Sequence, residues 1–593
     1  MRLTLILSAA LLAAMPTALH AQQVDNPGNG WTFRLEPLLF ESEADEVARR
    51  DEVRASVMEA TDAASELVDG AALLSAIEAQ NRMRLLFRRH DLYLFLKYAV
   101  DTRRENMLAP ADEMRASVRD AREILAKALA MKSESWLADA FESTPDLERY
   151  RYWIASAREQ AERTPPEGVE RAINEFLPLL AARDYPRIVG TLEFPPVMLA
   201  GNLVDFAQNR AQIEGNQDPM VRSAGELSLF QGYASQRELF AHFLRDAIGG
   251  ANAQSRLRGE DSAFQSALSD AALEEKDHRR LLSVVAENAD TFKSWQRRTE
   301  DPFSSTAKWT AQDAVDSIVR SASTFDASLG EEFALLLDPA GGRADLNGSG
   351  SRLPITGTAS VYPIGTSAIF MERFEGTLLD MIVLAHEGGH AVQAQLMAKN
   401  QIPMAYATGP GYFTESFGRF QELILLDHLM VETSDEERRT LLRDALAARL
   451  LSVFRSAEEA AIELAIHDLV NSGEAVDADA LDRLTMDAGS RYVVDYGDLP
   501  ERAGMWMLSQ GYFMAPMQEL NDVWASLLAI RYFLAWREDP EAFRVRYLEL
   551  LSRGYDAAPD ELLKSVGIDI HDQNFVGGTM AALRQTVSEL YSD

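Results

Sequence analysis

The sequence predicts a mainly α-helical protein with one small β-sheet. Apolar residues recur at intervals of three and four from about residue 36 to residue 301, as in helices that bury one face. The same pattern returns at Leu378 and continues almost to the end of the 593-residue chain. The convincing β-type runs are 359–362 and 367–371, which Gly and Pro bound. We therefore expect the sheet directly before the helix that begins near residue 378.

Local signals predict where individual helices begin and end. Pro165-Pro166, Pro195-Pro196 and Gly249-Gly250 predict helix ends followed by loops. One helix is predicted over 311–337, because a loop with proline and glycine begins at Asp338. These boundaries divide the chain into many helices of ordinary length.

Two charged clusters and one capping signal have structural explanations. The clusters 88–90 and 276–280 combine arginine with histidine, and we interpret them as solvated helix faces. Ser434 and Glu437 have the spacing of a capping box, which predicts a helix over 435–453. None of these features is expected to carry chemistry.

The composition excludes one class of function. The chain carries 92 acidic and 58 basic residues, a formal net charge of -34. Because binding to nucleic acid needs a basic surface, we expect no nucleic-acid partner. The chain has no cysteine, which excludes disulfides, thiolate zinc sites and a lipid-modified cysteine.

The N-terminus has the pattern of a cleavable signal peptide over residues 1–21. Met1-Arg2 is a short positive start, 3–15 is an apolar run, and the cleavage site falls before Gln22. A membrane anchor is the alternative, but the run is short for a span. The expected location is therefore periplasmic or secreted, with no stable membrane association after removal of the signal. The remaining chain is divided into an N-terminal helical domain, 22–309, and a catalytic domain, 310–593.

The motif His386-Glu387-Gly388-Gly389-His390 predicts a zinc site. Residues four apart lie about 40° apart around a helix axis, so His386 and His390 project from one face. Two imidazoles at this spacing can share one zinc ion, and Glu387 between them can reach a water on the open zinc position. Two adjacent glycines weaken a helix by about 0.8–1 kcal/mol each relative to alanine. Their presence indicates that another element packs very close to this helix.

A second predicted helix supplies the missing ligand. Glu415 lies 25 residues after His390 and is the leading candidate for the third protein ligand. Glu422, seven residues further on, shares its helix face and can orient a ligating imidazole. One Zn2+ per chain is expected, although other divalent metals also accept this ligand set. Glu387 can then take a proton from the attacking water and pass it to the leaving amine, which is amide hydrolysis.

Flanking segments resemble the thimet oligopeptidase and oligoendopeptidase F family of gluzincin-type zinc metallopeptidases. These are 368–377 (Ala-Ile-Phe-Met-Glu-Arg-Phe-Glu-Gly-Thr) before the motif, 412–416 (Tyr-Phe-Thr-Glu-Ser) and the C-terminal run 547–554 (Tyr-Leu-Glu-Leu-Leu-Ser-Arg-Gly). The resemblance covers about residues 310–590. It implies a multi-helical clamshell with a deep central channel that admits short unstructured peptides, and it carries over His386, His390 and Glu415 as ligands and Glu387 as the base.

The chain departs from this family where the oxyanion donors are expected. The alignment puts Gly511 at the position of a histidine, and Gln518 and Asp522 at the positions of tyrosines. Removing one oxyanion donor typically costs about 10²–10³ in rate. Tyr512 is the candidate substitute, and Tyr492 and Tyr496 are further possibilities.

Two alternatives remain beside an oligopeptidase that acts on oligopeptide substrates as a monomer. The segments 400–403 and 409–415 faintly resemble dipeptidases of the angiotensin-converting enzyme type. A zinc-retaining, non-catalytic peptide-binding protein is the second alternative. The intact Glu387 argues against it, and the missing His and Tyr argue for it. The sequence does not give the cleavage preference.

Overall fold

The computed structural model describes most of the chain, with gaps. The described residues are 28, 30–165, 168–169, 185–216, 218–299, 301–305, 307–355, 357–360, 365 and 367–592. The predicted signal peptide at 1–21 lies outside them. Within the described residues, no helix has both the length and the apolar character needed to cross a membrane.

The described chain is mainly α-helical, as the apolar periodicity predicts. The α-helices before residue 310 are Leu35–Leu38, Glu43–Ser65, Gly70–Val100, Leu108–Ala130, Glu134–Ser143, Arg151–Glu162, Tyr185–Val189, Phe206–Glu214, Pro219–Ala234, Arg237–Leu257, Ala263–Ala271, Glu275–Glu287 and Asp290–Gln296. Those after residue 310 are Ala311–Phe325, Ala327–Leu337, Leu378–Lys399, Gly411–Glu432, Glu436–Leu450, Ser452–Ser472, Ala478–Gly489, Asp495–Asp498, Met505–Leu508, Gln510–Met514, Gln518–Glu538, Pro540–Arg553, Pro559–Ser565 and Phe575–Leu590. Short 3-10 helices are Glu105–Met107, Pro145–Tyr150, Pro302–Ser304, Met404–Tyr406 and Pro500–Gly504.

Five short strands form two sheets in the described chain. The strands are β1 (Val197–Leu199), β2 (Asn202–Val204), β3 (Ala344–Asp345), β4 (Thr358–Ser360) and β5 (Ala368–Phe370). Strands β1 and β2 form an antiparallel hairpin. The second sheet has the order β3-β5-β4, in which β3 is parallel and β4 antiparallel to β5. The sheet beside the helix Leu378–Lys399 is therefore confirmed, whereas the sequence pattern missed β1, β2 and β3.

Three predicted helix boundaries are wrong. The predicted helix 311–337 is two helices, because Asp326 ends the first and caps the second by accepting from the Ser328 N–H. Gly249 and Gly250 lie inside the helix Arg237–Leu257 instead of ending it. Asp435, not Ser434, caps the helix Glu436–Leu450 by accepting from the backbone N–H of Arg438 at 2.8 Å. The capping-box prediction therefore misplaced the cap by one residue.

The two charged clusters are not simply solvated faces, which corrects the interpretation of 88–90 and 276–280. His90 is buried and its Nδ1 lies 2.8 Å from a Glu46 oxygen. His278 is fully buried and its Nδ1 accepts from the indole N–H of Trp524 at 3.2 Å. Hydrogen bonds inside the protein therefore replace solvation at these two histidines.

Four long helices of the C-terminal half enclose the candidate site. We call Leu378–Lys399 the motif helix, Gly411–Glu432 the partner helix, Ser452–Ser472 the acid helix and Gln518–Glu538 the core helix. The motif helix begins in a capping box, because Thr377 accepts from the N–H of Asp380 at 3.1 Å and Asp380 accepts from the N–H of Thr377 at 2.9 Å. The largest apolar core contains residues on both sides of position 310, and the predicted domain boundary there stays a prediction.

Candidate metal centre

Glycines let the motif helix and the partner helix approach each other closely. A Cβ atom added to Gly389 would lie 3.1 Å from Cα of Gly418, and one added to Gly418 would lie 2.8 Å from the ring of His386. Gly388 faces the other side, where an added Cβ would lie 2.3 Å from the ring of Phe333. The prediction of close packing at the paired glycines is confirmed.

The structure brings His386, His390 and Glu415 together. One ligand atom from each lies within 4.8 Å of the others, and all three side chains are buried. The two Nε2 atoms of His386 and His390 are 3.2 Å apart. His386 Nε2 lies 3.2 Å from one Glu415 oxygen, and His390 Nε2 lies 3.6 Å from the other.

These separations fit a tetrahedral metal. Zinc binds imidazole nitrogen and carboxylate oxygen at about 2.0–2.2 Å, so tetrahedral ligands on one ion lie about 3.3 Å apart. The observed separations are close to this value: 3.2 Å between the two Nε2 atoms, 3.2 Å from His386 Nε2 to one Glu415 oxygen, and 3.6 Å from His390 Nε2 to the other Glu415 oxygen. Three ligand atoms leave one position of a tetrahedron open, which is the arrangement of a catalytic rather than a structural zinc site.

Glu422 and Arg449 complete a chain of contacts behind His386. A Glu422 oxygen lies 2.7 Å from His386 Nδ1, and the other lies 3.1 Å from Nε of Arg449. Burial alone would lower the pKa of His386, but the carboxylates of Glu415 and Glu422 raise it to about 10. The two carboxylates therefore make this point of the protein strongly favourable for positive charge.

Glu387 directly follows His386 in the motif helix, and its side chain faces the three-stranded sheet. Its side chain is buried, and a Cβ atom added to Gly357 would lie 3.1 Å from Glu387 Cγ. Gly357 directly precedes β4, so the carboxyl group lies beside the edge of the three-stranded sheet. A peptide held along this edge would therefore lie next to the carboxylate.

The structure does not bring the predicted tyrosine substitutes to the metal ligands. The Tyr512 hydroxyl donates to the backbone carbonyl of Glu459 at 2.9 Å, and the Tyr492 hydroxyl donates to that of Leu282 at 3.0 Å. Tyr496 is buried, and its ring packs on Gly489. Each of these side chains thus has a structural contact of its own.

Acidic side chains occupy the region where oxyanion donors were expected. A Cβ atom added to Gly511 would lie 3.2 Å from a Glu519 oxygen, and Asp522 accepts from Arg419 at 2.7 Å. Glu463 accepts from the backbone N–H groups of Met517, at 2.5 Å, and Glu519, at 3.3 Å. We call Glu459, Glu463, Glu519 and Asp522 the acid cluster.

Crowding of like charges changes the titration of the acid cluster. Burial and the neighbouring carboxylates raise the pKa of Glu463 to about 8 and that of Glu459 to about 7. Burial, with the carboxylates of Glu459, Asp522 and Glu463, raises the pKa of Glu519 well above its ordinary value. The cluster therefore holds protons that isolated carboxyl groups would lose at neutral pH.

A second group of possible ligands in the described residues is already occupied by cations. His571 Nδ1 lies 2.7 Å from Asp277 and 3.7 Å from Glu274. Arg280 pairs with Asp277 at 2.8 Å, and Lys276 pairs with Glu274 at 2.6 Å. The candidate metal centre therefore lies between the motif helix and the partner helix.

Comparison with known proteins supports a metallopeptidase of the predicted class. Residues 367–581 match the model described as "Peptidase family M3", and this segment contains the motif helix, the partner helix and the acid cluster. The predicted resemblance to the thimet oligopeptidase and oligoendopeptidase F family is therefore confirmed.

Curated relatives with similar sequences are named as oligoendopeptidases or oligopeptidases. The chain is 23% identical over 398 residues to an oligoendopeptidase F homolog of Lactococcus lactis subsp. lactis. The aligned region covers 64% of this chain and 65% of the relative. It is 21% identical over 389 residues to the oligopeptidase PepF of Bacillus subtilis, and this aligned region covers 62% of this chain and 56% of the relative. The chain thus spans somewhat less than two thirds of the length of these curated relatives.

Solved structures show the same fold over nearly the whole chain. A protein from Chlamydophila abortus matches with a TM-score of 0.77 and 19% identity, covering 96% of this chain and 100% of that chain. Oligoendopeptidase F from Enterococcus faecium matches with a TM-score of 0.63 and 18% identity, covering 92% of this chain and 97% of that chain. The predicted multi-helical clamshell fold is therefore confirmed.

Several residues that shape the site were not predicted from the sequence. Arg449 lies outside any motif and became relevant only when folding placed it against Glu422. Arg419 follows Glu415 by four residues, so helical spacing could have identified it as a neighbour. Tyr555 lies in the turn after the helix Pro540–Arg553. Nothing in the sequence pattern predicts that its hydroxyl contacts both the motif helix and the partner helix.

Proposed function

We propose that the chain is a zinc-dependent peptidase that hydrolyses peptide bonds in short, unstructured oligopeptides. The observation that carries this proposal is the set of separations among His386, His390 and Glu415, which fits one tetrahedral zinc ion within an M3 peptidase domain. His386, His390 and Glu415 would hold the ion, and Glu422 would orient His386. When bound, zinc would polarise the scissile carbonyl and lower the pKa of water.

The residues of the chain supply the remaining chemistry. Glu387 accepts a proton from the attacking water as the new carbon–oxygen bond forms. It then delivers this proton to the leaving nitrogen as the carbon–nitrogen bond breaks, so water and amide become a carboxylic acid and an amine. Burial of Glu387 keeps bulk water from competing for its proton.

The small sheet supports an extended peptide as substrate. Strand β4 lies at one edge of the order β3-β5-β4 and runs beside Glu387. An extended peptide can add to such an edge through backbone hydrogen bonds that do not depend on its sequence. This arrangement suits a range of oligopeptides better than one particular sequence.

The acid cluster favours a second candidate, a zinc-retaining protein that binds peptides without efficient cleavage. Asp522 is engaged with Arg419, and the Tyr512 hydroxyl is engaged with a backbone carbonyl. Neither group, as placed, donates a hydrogen bond toward a developing oxyanion.

One assay separates the two candidates. Purified, zinc-loaded protein is incubated with a mixture of short synthetic peptides, and fragments are detected by mass spectrometry. Cleavage that the Glu387→Gln variant abolishes supports the peptidase. Tight peptide binding without cleavage by the wild type supports the second candidate and contradicts the first.

We further propose a periplasmic or secreted location and a monomeric state. The N-terminal sequence pattern of 1–21 supports export. Sequencing the N-terminus of protein recovered from the periplasm or medium tests the cleavage before Gln22. Light scattering after size-exclusion chromatography tests the oligomeric state, and a mass of twice the chain would contradict a monomer.

A further inference from the structure

Tyr555 occupies the junction of three segments that surround the metal centre. Its hydroxyl accepts from the side-chain amide of Gln393 at 3.0 Å and lies 3.0 Å from the Thr414 hydroxyl. Gln393 belongs to the motif helix and Thr414 to the partner helix. The Tyr555 side chain comes from the turn after the helix Pro540–Arg553 and is only 7% exposed.

The ring and backbone of Tyr555 are also held by contacts that do not involve the hydroxyl. A Cβ atom added to Gly409 would lie 2.1 Å from this ring, so only glycine leaves room for it. The backbone N–H of Tyr555 donates to the carbonyl of Tyr406 at 3.0 Å. The ring meets that of Phe413 edge-on, with centroids 5.7 Å apart. The hydroxyl therefore has little freedom to move.

The hydrogen bonds around this hydroxyl run in one direction. The Thr414 hydroxyl donates to the carbonyl of Pro410 at 3.2 Å, so it accepts the proton of Tyr555. Gln393 donates to Tyr555, which donates to Thr414, which donates to Pro410. Burial raises the pKa of the Tyr555 hydroxyl, so the hydroxyl keeps its proton at neutral pH.

The chain of bonds joins the helical turns that carry two proposed ligands. Gln393 lies three residues after His390, and Thr414 directly precedes Glu415. A metal site needs its ligands within about 0.5 Å of the productive geometry. Groups behind the ligands typically contribute about 10–100-fold to metal affinity when they fix that geometry.

We propose that Tyr555 is a positioning residue whose hydroxyl holds the His390 turn and the Glu415 turn at the separation that metal binding requires. This inference rests on the proposed ligand set of the metal centre. It assigns a role in that centre to a residue outside the motif helix and the partner helix. The ring serves as a spacer, and the hydroxyl serves as the link between the two helices.

The Tyr412 side chain offers a matched control. It lies on the partner helix and is fully buried, and its hydroxyl makes no hydrogen bond with the part of the chain that the structure describes. Tyr412→Phe removes one buried hydroxyl from the partner helix, but unlike Tyr555→Phe it breaks no link between the helices. The two variants therefore separate the link from the general effect of deleting a hydroxyl.

The test measures zinc affinity of the full chain by competition with a chromophoric chelator. We expect Tyr555→Phe to bind zinc about 10–100-fold more weakly than the wild type, and Tyr412→Phe to stay within about twofold. Peptidase activity of Tyr555→Phe should return when zinc is raised above its new dissociation constant. Circular dichroism of the zinc-free proteins confirms that each variant is folded.

A second variant covers the case in which Tyr555→Phe does not fold. Thr414→Val removes the acceptor of the Tyr555 proton and keeps the shape of the side chain, and it should weaken zinc binding in the same direction. Folded Tyr555→Phe or Thr414→Val protein with wild-type zinc affinity would overturn the proposal. Failure of the wild type to bind zinc would instead overturn the proposed function.

Discussion

The two sides of the candidate site are built on different physical principles. On the metal side, glycines bring the motif helix and the partner helix together, and Glu422 holds His386 from behind. On the opposite side, the acid cluster and Arg419 fill the space with paired and protonated carboxyl groups. The first side has groups that converge on one point. The second side has groups that bond to one another.

This difference explains why one half of the candidate site is easier to recognise than the other. Metal ligation depends on a few atoms whose separations are fixed by the metal, so the ligand set is easy to recognise. Stabilisation of an oxyanion depends only on a donor at the right point, which many residue types can supply. If the two sides differ in function as they do in structure, substitutions on the metal side should have the larger effects on catalysis.

The largest expected effect comes from removing the proposed base on the metal side. Glu387→Gln keeps the size of the side chain but cannot take a proton, so kcat should fall by about 10²–10⁴. Zinc content should stay at the wild-type level, because Glu387 is not a proposed ligand. The check is peptide cleavage at saturating zinc, beside metal analysis of the same samples. A variant with wild-type kcat would remove Glu387 from the mechanism.

The second-largest effect is expected from removing the contact between Glu422 and His386. Glu422→Gln removes a carboxylate that lies 2.7 Å from His386 Nδ1, and zinc should bind about 10–100-fold more weakly. Glu432→Gln, at the exposed end of the same helix, serves as the control and should leave zinc affinity unchanged. Equal affinities for both variants in a chelator competition would show that Glu422 does not orient the ligand.

Close packing of the two helices predicts a loss of stability when a methyl group is inserted. Gly418→Ala places a Cβ atom 2.8 Å from the His386 ring, which should cost about 1–3 kcal/mol in the free energy of unfolding. Gly249→Ala is the matched control, because its added Cβ meets nothing within 4 Å in the interior of a helix. That control should be stabilised by about 0.8–1 kcal/mol. Denaturant titration measures both, and a neutral Gly418→Ala would contradict the packing described above.

The acid cluster predicts a pH dependence on the other side of the site. The pKa of Glu463 is raised to about 8 in the folded protein, so the folded state holds this proton more tightly than the unfolded chain. The free energy of unfolding should therefore fall as the pH rises from about 5 to about 8. Glu459, Glu519, Asp522 and Arg419 are the charged groups that share this environment.

Glu463→Gln should flatten this pH dependence. Glutamine still offers an oxygen to the backbone N–H groups of Met517 and Glu519, but it does not titrate. Glu474→Gln, at an exposed position, should leave the slope unchanged. Thermal melts of the three proteins at several pH values provide the comparison. A wild-type slope in Glu463→Gln would show that other groups control the pH dependence.

The smallest effect is expected at Tyr512. Its hydroxyl donates to the carbonyl of Glu459, so Tyr512→Phe should change kcat by less than about threefold, far below the 10²–10³ of an oxyanion donor. A fall of two orders of magnitude in kcat with unchanged KM would show that Tyr512 turns toward the substrate during the reaction. That result would support the predicted role of Tyr512 as an oxyanion donor.

The sequence predicted the metal side better than the opposite side for a physical reason. His386, Glu387 and His390 lie within one helical segment, and Glu415 and Glu422 share a face of the next long helix, so spacing alone groups them. Arg449 and Tyr555 reach the site only through tertiary packing, which leaves no periodic signal. The hairpin β1-β2 was missed because its three-residue strands are too short to show alternation. The break at Asp326 was missed because the apolar pattern continues across it.

The central claim is that His386, His390 and Glu415 form one complete zinc site. Its most direct test is metal analysis of full-length protein purified without chelators, wild type beside His386→Ala and Glu415→Ala. We expect one zinc ion per wild-type chain and a loss of most zinc from both variants, with circular dichroism unchanged. Wild-type protein without zinc, or variants that retain a full complement of zinc, would show that these three residues do not form a zinc site.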